Sequence, residues 1–224
     1  MRSAARIAIG LGWIAIVASL LALGTWQVER RAWKLDLIAR VDAQIHAAPV
    51  PAPRTIAGKD DAYRRVRAAG SYLADADVLV QAATVRGAGW WVITPLRTGR
   101  GMILVNRGFV PSRVIPAPPT GPVVVTGLLR LSEPGGGFLR SNDAARDRWF
   151  SRDVAAIAQA RRLGPVAPYF IDADDSATRP GGPVGGLTVI AFPNNHLVYA
   201  ITWYVLAVMA MFGFFYWRRL ETRA

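Results

Sequence analysis

Uncharged apolar residues gather at the two ends of the chain, while apolar and polar positions alternate in short stretches through the middle. Ile7 to Gly24 (IAIGLGWIAIVASLLALG) carries no charge and would span roughly 27 Å as a helix, close to hydrocarbon thickness. Leu197 to Trp217 is also uncharged, with a helical length of roughly 31 Å. Trp203, Tyr204, Tyr216 and Trp217 sit toward its ends, where amphipathic rings favour the membrane interface. After Gly24, Val28, Leu35, Ile38, Val41 and Ile45 keep helical spacing between charges, so a helix continues beyond the first run and ends before PVPAPRTIAGKDD. Strands are predicted over Tyr63–Tyr72, Val78–Thr84, Trp90–Arg97, Met102–Phe109 and Val123–Leu131, with another at Pro168–Asp172. Residues 96–102 read as a hairpin connection whose glycines supply positive φ. Asp153–Leu163 is Ala-rich and predicted helical, capped by Ser151 and stopped by Gly164-Pro165.

The expected fold is therefore an α+β membrane protein. Two transmembrane helices, N- and C-terminal, flank an antiparallel β-rich extracytoplasmic domain with a short helix. The expected limits are 1–24 for the first anchor, 25–196 for the domain, 197–217 for the second helix and 218–224 for the tail. The first run is long for a signal core, and Ala22-Leu23-Gly24 is a weak cleavage site, so it is read as a retained anchor. Gly10, Gly12, Ala15 and Ala22 are the expected contact with Ala200, Ala207 and Ala210 of the other helix, since small residues let helices approach.

Charge sets the orientation. Arg218, Arg219 and Arg223 follow the second run, and no Lys or Arg lies between Arg179 and Arg218, so the C-terminus is expected in the cytoplasm. Two crossings return the N-terminus, with Arg2 and Arg6, to the same side. Arg30, Arg31, Lys34 and Arg40 oppose this, but a connection this long translocates largely regardless of charge. The net charge is +12, and the middle segment carries 22 basic against 14 acidic residues. They are scattered as singles and pairs, with no basic helix, which points to anionic lipid or an acidic partner rather than nucleic acid. With no cysteine, the chain has no disulfide framework, thiol redox site or Cys-based metal site.

Residues 193–203 (PNNHLVYAITW) stand at the mouth of the second run. Upstream lie GWWVITPL (89–96), VNRGFVP (105–111), RWFSRDV (148–154) and LGTWQVERRAWKLDLI (23–38). With two terminal spans at this spacing, these motifs resemble the surfeit-locus family of cytochrome c oxidase assembly factors along the whole chain. The resemblance implies a non-enzymatic chaperone in a bacterial inner membrane, with a periplasmic domain and both termini cytoplasmic. It implies binding of haem a and help with its insertion into the catalytic subunit of haem–copper oxidase. That subunit is the implied partner, with the enzyme that makes haem a as a second candidate. The family's NNH histidine falls on His196 and its helix tryptophan on Trp203.

His196, Tyr199, Ala200 and Trp203 share one helical face at i, i+3, i+4 and i+7. Neutral imidazole is a common haem ligand, so His196 is the expected axial ligand to haem iron. Ala200 would leave room for a flat macrocycle and Trp203 could stack on its edge. The competing reading is an interfacial histidine that only caps or hydrogen-bonds. Asn194 and Asn195 suit N-caps. His46 would lie about 33 Å from the membrane exit along a helix and is not expected as a second ligand. Arg107, Arg30 and Arg31 could pair with carboxylates of the haem, against a plainer role in local ion pairs. Trp90 and Trp91 should face opposite sides of a strand, one in the core and one on a surface. Asp172, Asp174 and Asp175 lack calcium-loop spacing and read as a solvated loop.

Three other functions remain to be weighed. A cofactor-free scaffold docking on an oxidase intermediate is the alternative to haem binding. A copper chaperone is disfavoured, because Cu(I) prefers soft sulfur and only Met1, Met102, Met209 and Met211 supply it. An extracytoplasmic enzyme lacks a nucleophile or paired acid–base constellation in the sequence.

Overall fold

The computed structural model describes residues 2–137, 139–190 and 192–223. Among these, the main elements in chain order are α1 (Arg2–His46), β1 (Val50–Pro51), β2 (Arg65–Tyr72), β3 (Val78–Thr84), β4 (Gly87–Thr98), β5 (Gly101–Val110), β6 (Val123–Leu131), β7 (Gly136–Gly137), β8 (Arg140–Ser141), α2 (Val154–Ala160), β9 (Val166–Ala173) and α3 (His196–Glu221). This is the expected α+β arrangement, with a terminal helix on each side of a β-rich domain. The chain divides into two units, Met1–Arg40 with Ala191–Ala224, and Val41–Ile190. The limits drawn from apolarity, at residues 24 and 196, differ because α1 runs unbroken through Gly24. Met1 and Ala224, the outer ends of the expected anchor and tail, lie outside the described residues.

In the helical unit, α1 and α3 are both long and apolar enough to cross a membrane. One row of shielded positions on α1 runs Gly10, Trp13, Val17, Leu20, Gly24 and Gln27; a row on α3 runs His196, Ala200, Trp203, Ala207, Ala210, Phe214 and Trp217, with Tyr204 and Gly213 shielded beside it. Both sets step by three and four, the spacing of an interhelical seam. The pair is antiparallel: Arg6 reaches Glu221 at 3.3 Å, Trp13 packs on Phe214 at 6.3 Å between centroids, and Thr25 Oγ1 lies 3.2 Å from the Tyr204 hydroxyl. Ala200 and Ala207 are buried as expected, but Gly12, Ala15 and Ala22 are exposed. The seam follows heptad spacing rather than small-residue content. The close approach falls at Gly24, where a Cβ would stand 2.7 Å from the Tyr204 ring.

In the second unit, the strand order is β1-β2-β6-β9-β5-β4-β3, and β2 also pairs with β4. That pairing closes β2-β6-β9-β5-β4 into a five-stranded ring. Strand β2 changes partner at Gly70: Arg65–Gly70 pair with β6, and Gly70–Tyr72 pair with β4. A Cβ at Gly70 would meet the Arg97 carbonyl oxygen at 2.2 Å, so the corner requires glycine. The sheet is mostly antiparallel; β5–β9 and β1–β2 are its parallel pairs. Alternate residues fill the interior: Val66, Ala68, Leu96, Ile103, Val105, Val125, Leu129, Tyr169 and Ile171. On the outer face, Val78, Val80, Ile93, Leu104 and Phe170 pack with Trp149 and with Val154 and Ile157 of α2.

The predicted strands Val78–Thr84 and Val123–Leu131 match β3 and β6 in full. Two hairpins share one device. Thr84 Oγ1 accepts from Arg86 N at 3.0 Å, and Thr98 Oγ1 accepts from Arg100 N at 3.1 Å. In each, the closing glycine, Gly87 or Gly101, takes positive φ, whereas Gly99 does not. The predicted helix forms with a different cap. Asp153 accepts from Ala156 N, whereas Ser151 Oγ accepts from Gly136 N and from Asn142 Nδ2. Trp90 and Trp91 are both half-buried, Trp91 against the α2 layer and Trp90 beside Leu79, Val92 and Val110.

The Asp172 expectation is overturned. Its side chain is 3% exposed, on β9, not in a solvated loop. Its carboxylate accepts from Asn106 Nδ2 at 2.8 Å, Arg130 Nη1 at 3.1 Å, Arg152 Nη1 at 3.2 Å and Thr188 Oγ1 at 2.9 Å. Glu133 completes the cluster with two bonds to Arg152, of 2.6 and 3.0 Å. Two acids thus balance two guanidiniums. The run FIDADD hid this because the arginines arrive from β6 and from the segment before α2.

Two phenols set the alkaline limit of this unit. Tyr169 donates to the Pro53 carbonyl at 2.5 Å, and burial pushes its pKa up to about 12. Burial does the same at Tyr72, partly offset by Arg107. An acid whose folded pKa is raised binds its proton more tightly when folded. Stability from these phenols is fully present below about pH 10 and is lost as pH rises toward about 12. Chemical unfolding at about pH 9 and about pH 11 should show a loss of about 2 kcal/mol or more, with a smaller slope in Tyr72→Phe. Equal stability at the two pH values would contradict this account.

Candidate functional site

The site lies where α3 begins. Asn195 occupies the N-cap position, and its carbonyl accepts from Tyr199 N at 3.3 Å, but its side chain makes no capping bond. Asn194 is likewise not a side-chain cap: its Oδ1 is buried with no hydrogen-bond partner among the described residues. The expected capping pair therefore leaves the first turn of α3 uncapped by side chains. One residue on, His196 Nδ1 donates to Gln27 Oε1 of α1 at 2.7 Å. A neutral imidazole that donates through Nδ1 keeps the lone pair of Nε2 for another partner. The carboxamide thus fixes both tautomer and ring direction, as outer partners of metal-binding histidines do.

The structure separates the other residues expected on this face. Trp203 is half-buried, and its indole Nε1 is a buried donor without an acceptor among the described residues. An indole N–H shielded from water normally finds a partner. Ala200 is 2% exposed and belongs to the seam with α1. Its small side chain serves helix packing. Tyr199 is 55% exposed, one step around the helix from that seam. His196 and Trp203 therefore share the seam, Ala200 lies between them in sequence, and Tyr199 borders it.

Gln27 was missed in the sequence. The signal was present, because it is the polar member of an otherwise apolar or glycine series from Gly10 to Gly24 on α1. His46 is the last residue of α1, with Nδ1 at 2.9 Å from the Asp42 carbonyl. Arg30 lies 3.9 Å over the Trp33 ring. Arg107 belongs to the barrel unit and is buried there rather than exposed. No cluster of three or more His, Asp or Glu side chains that could hold a metal ion occurs among the described residues.

A model of the SURF1 family matches residues 14–208, a range that takes in most of α1, the barrel and the first half of α3. Surfeit locus protein 1 of Homo sapiens is 36% identical to this chain, with 92% of this chain and 76% of that protein covered. The protein of the same name from Takifugu rubripes is also 36% identical, covering 89% of this chain and 92% of its own length. A SURF1-like protein of Monosiga brevicollis is 36% identical over 94% of this chain and 88% of its length. The resemblance carried by PNNHLVYAITW and the upstream motifs thus extends over nearly the whole sequence. This chain belongs to the SURF1 family.

Proposed function

We propose that this protein is an assembly factor for haem–copper cytochrome c oxidase that binds haem a and helps deliver it to the catalytic subunit. The assembly role follows from membership of a family of cytochrome c oxidase assembly factors. The haem reading rests chiefly on one observation, the His196–Gln27 bond of 2.7 Å, which leaves Nε2 of a buttressed imidazole available. The residues present suit the group. Haem a would supply an iron that takes an axial nitrogen and a rim that bears carboxylates. His196 offers the nitrogen, Trp203 an unpartnered N–H, and Tyr199 an exposed ring beside them. Ala200 holds α3 in the seam and so helps set the position of His196.

The same reading places the barrel in the periplasm of a bacterium and both termini in the cytoplasm. The Arg6–Glu221 contact supports it by bringing the start of α1 beside the end of α3. Arg218 and Arg219 in the last turn add the cytoplasmic charge bias. A C-terminal fusion to alkaline phosphatase, active only after export, should be inactive, and a fusion within residues 111–122 should be active. The reverse result would overturn the orientation. Purified protein in detergent micelles, titrated with haem a, should give a saturable change in the visible spectrum at one haem per chain. If wild-type protein shows none, a cofactor-free scaffold becomes the better account.

A further inference from the structure

Arg152 is half-buried and Arg107 buried, and the two are paired very differently. Arg152 has two acids within bonding distance. Arg107, 7% exposed on β5, has one acid in a single looser pairing. Of its five N–H donors, one reaches the Ala117 carbonyl at 3.2 Å and one reaches Thr94 Oγ1 at 3.5 Å. Its nearest carboxylate, Asp77 Oδ1, is 3.9 Å away and already accepts the Thr94 hydroxyl. Burial raises the Asp77 carboxyl above its ordinary range, partly offset by the Thr94 hydroxyl and by Arg107. Held by one loose ion pair and by the face of the Tyr72 ring at 5.7 Å, this buried cation keeps donor capacity for an anion.

Arg107 lines a cavity of about 460 Å³, within the size range of small-molecule sites. Two further donors line it. Tyr72 has a phenolic O–H with no hydrogen-bond partner among the described residues, and the exposed Arg179 has no side-chain partner among them. No acidic side chain is among the residues lining the cavity. Its walls come from two loops stiffened by proline, residues 116–119 and 180–183. Fixed φ at these prolines lowers the entropy cost of holding the walls open. Two guanidiniums and a phenol around one half-open cleft, against apolar pyrrolidine walls, match a doubly charged oxyanion attached to an organic body.

We propose that this cavity is a binding site for a phosphate monoester, with Arg107 and Arg179 on the phosphate oxygens and Tyr72 donating to them. The site lies wholly within the barrel unit and is independent of the haem reading. The monoester could be a soluble metabolite or the headgroup of a lipid such as phosphatidic acid, and the test separates the two.

The full chain is placed in nanodiscs of phosphatidylcholine and titrated calorimetrically with glycerol 3-phosphate and, separately, with acetate. In parallel, its flotation with vesicles is compared with and without phosphatidic acid. Saturable binding of glycerol 3-phosphate, with acetate inert, assigns a soluble ligand. Gain of flotation only with phosphatidic acid assigns a lipid headgroup. In either case Arg179→Ala and Tyr72→Phe should weaken binding, Arg179→Ala by about tenfold or more. Both positions are away from the Asp172 cluster, and circular dichroism checks that the barrel is intact. Arg107→Lys should also weaken binding, since a single ammonium replaces a fork. Wild-type protein that binds neither probe would overturn the proposal. So would folded Arg179→Ala and Tyr72→Phe variants that bind as wild type does.

Discussion

Replacing Asp172 with alanine should cost about 3–5 kcal/mol of stability, the usual loss when one partner of a buried ion pair is removed. The variant leaves Arg130 and Arg152 facing Glu133 alone, and Asn106 and Thr188 without their acceptor. The position in the sheet makes the loss larger than a local defect. Asp172 pairs with Leu128 of β6 on one side and Asn106 of β5 on the other. The β5–β9 joint is parallel, with the slanted bonds of such pairs, and its register shifts between Met102 and Leu104. The Asn106–Asp172 side-chain bond of 2.8 Å clamps that joint. Urea unfolding of the full chain in detergent, followed by far-ultraviolet circular dichroism, measures the effect. Asp172→Asn keeps the shape and one acceptor oxygen and should fall between wild type and Asp172→Ala. A midpoint for Asp172→Ala within experimental scatter of wild type would sink the clamp account.

That cluster also shows which parts of the molecule a sequence can disclose. Strands β3 and β6 were legible to the residue because alternation and bounding turns are local properties. Closure of the ring was not, because it depends on β2 exchanging β6 for β4 at Gly70, and one glycine in a strand is compatible with many roles. Asp172 was misread for a related reason. Its neighbours in sequence are acids of a surface turn, and its partners lie 16 and more positions away in the chain. The helical seam was legible in principle. Steps of three and four from Gly10 through Gln27 mark one face, but the weight given to small residues drew attention to Gly12, Ala15 and Ala22 on other faces. Gln27 was the casualty of that choice. His196 was singled out through its motif, whereas its hydrogen-bond partner comes from the other helix, 169 positions away.

Substituting His196 should change the haem a spectrum and occupancy more than any other single change in the helical unit. His196→Ala removes the nitrogen proposed as ligand, so both the visible band and the affinity should change while the helix content stays the same. Gln27→Leu keeps the nitrogen but frees the tautomer and ring orientation that the 2.7 Å bond fixes. Loss of such an outer partner typically costs about 10–100-fold in affinity, so this variant should lie between His196→Ala and wild type. Trp203→Phe retains an aromatic face but removes the unpartnered Nε1–H, and Trp203→Ala should lose a further 0.5–1.5 kcal/mol or so of stacking. His46→Ala should leave the spectrum unchanged, because His46 ends α1, 19 residues beyond the Gln27 that holds His196. The order is the diagnostic part, since a general loosening of the helix pair would affect Gln27→Leu and His196→Ala alike and would lower helix content. If His196→Ala kept the wild-type spectrum and occupancy while His46→Ala lost them, iron ligation would belong to the other histidine. If Gln27→Leu alone lost haem, the bond would be acting through helix pairing, and the imidazole would be a packing partner rather than a ligand.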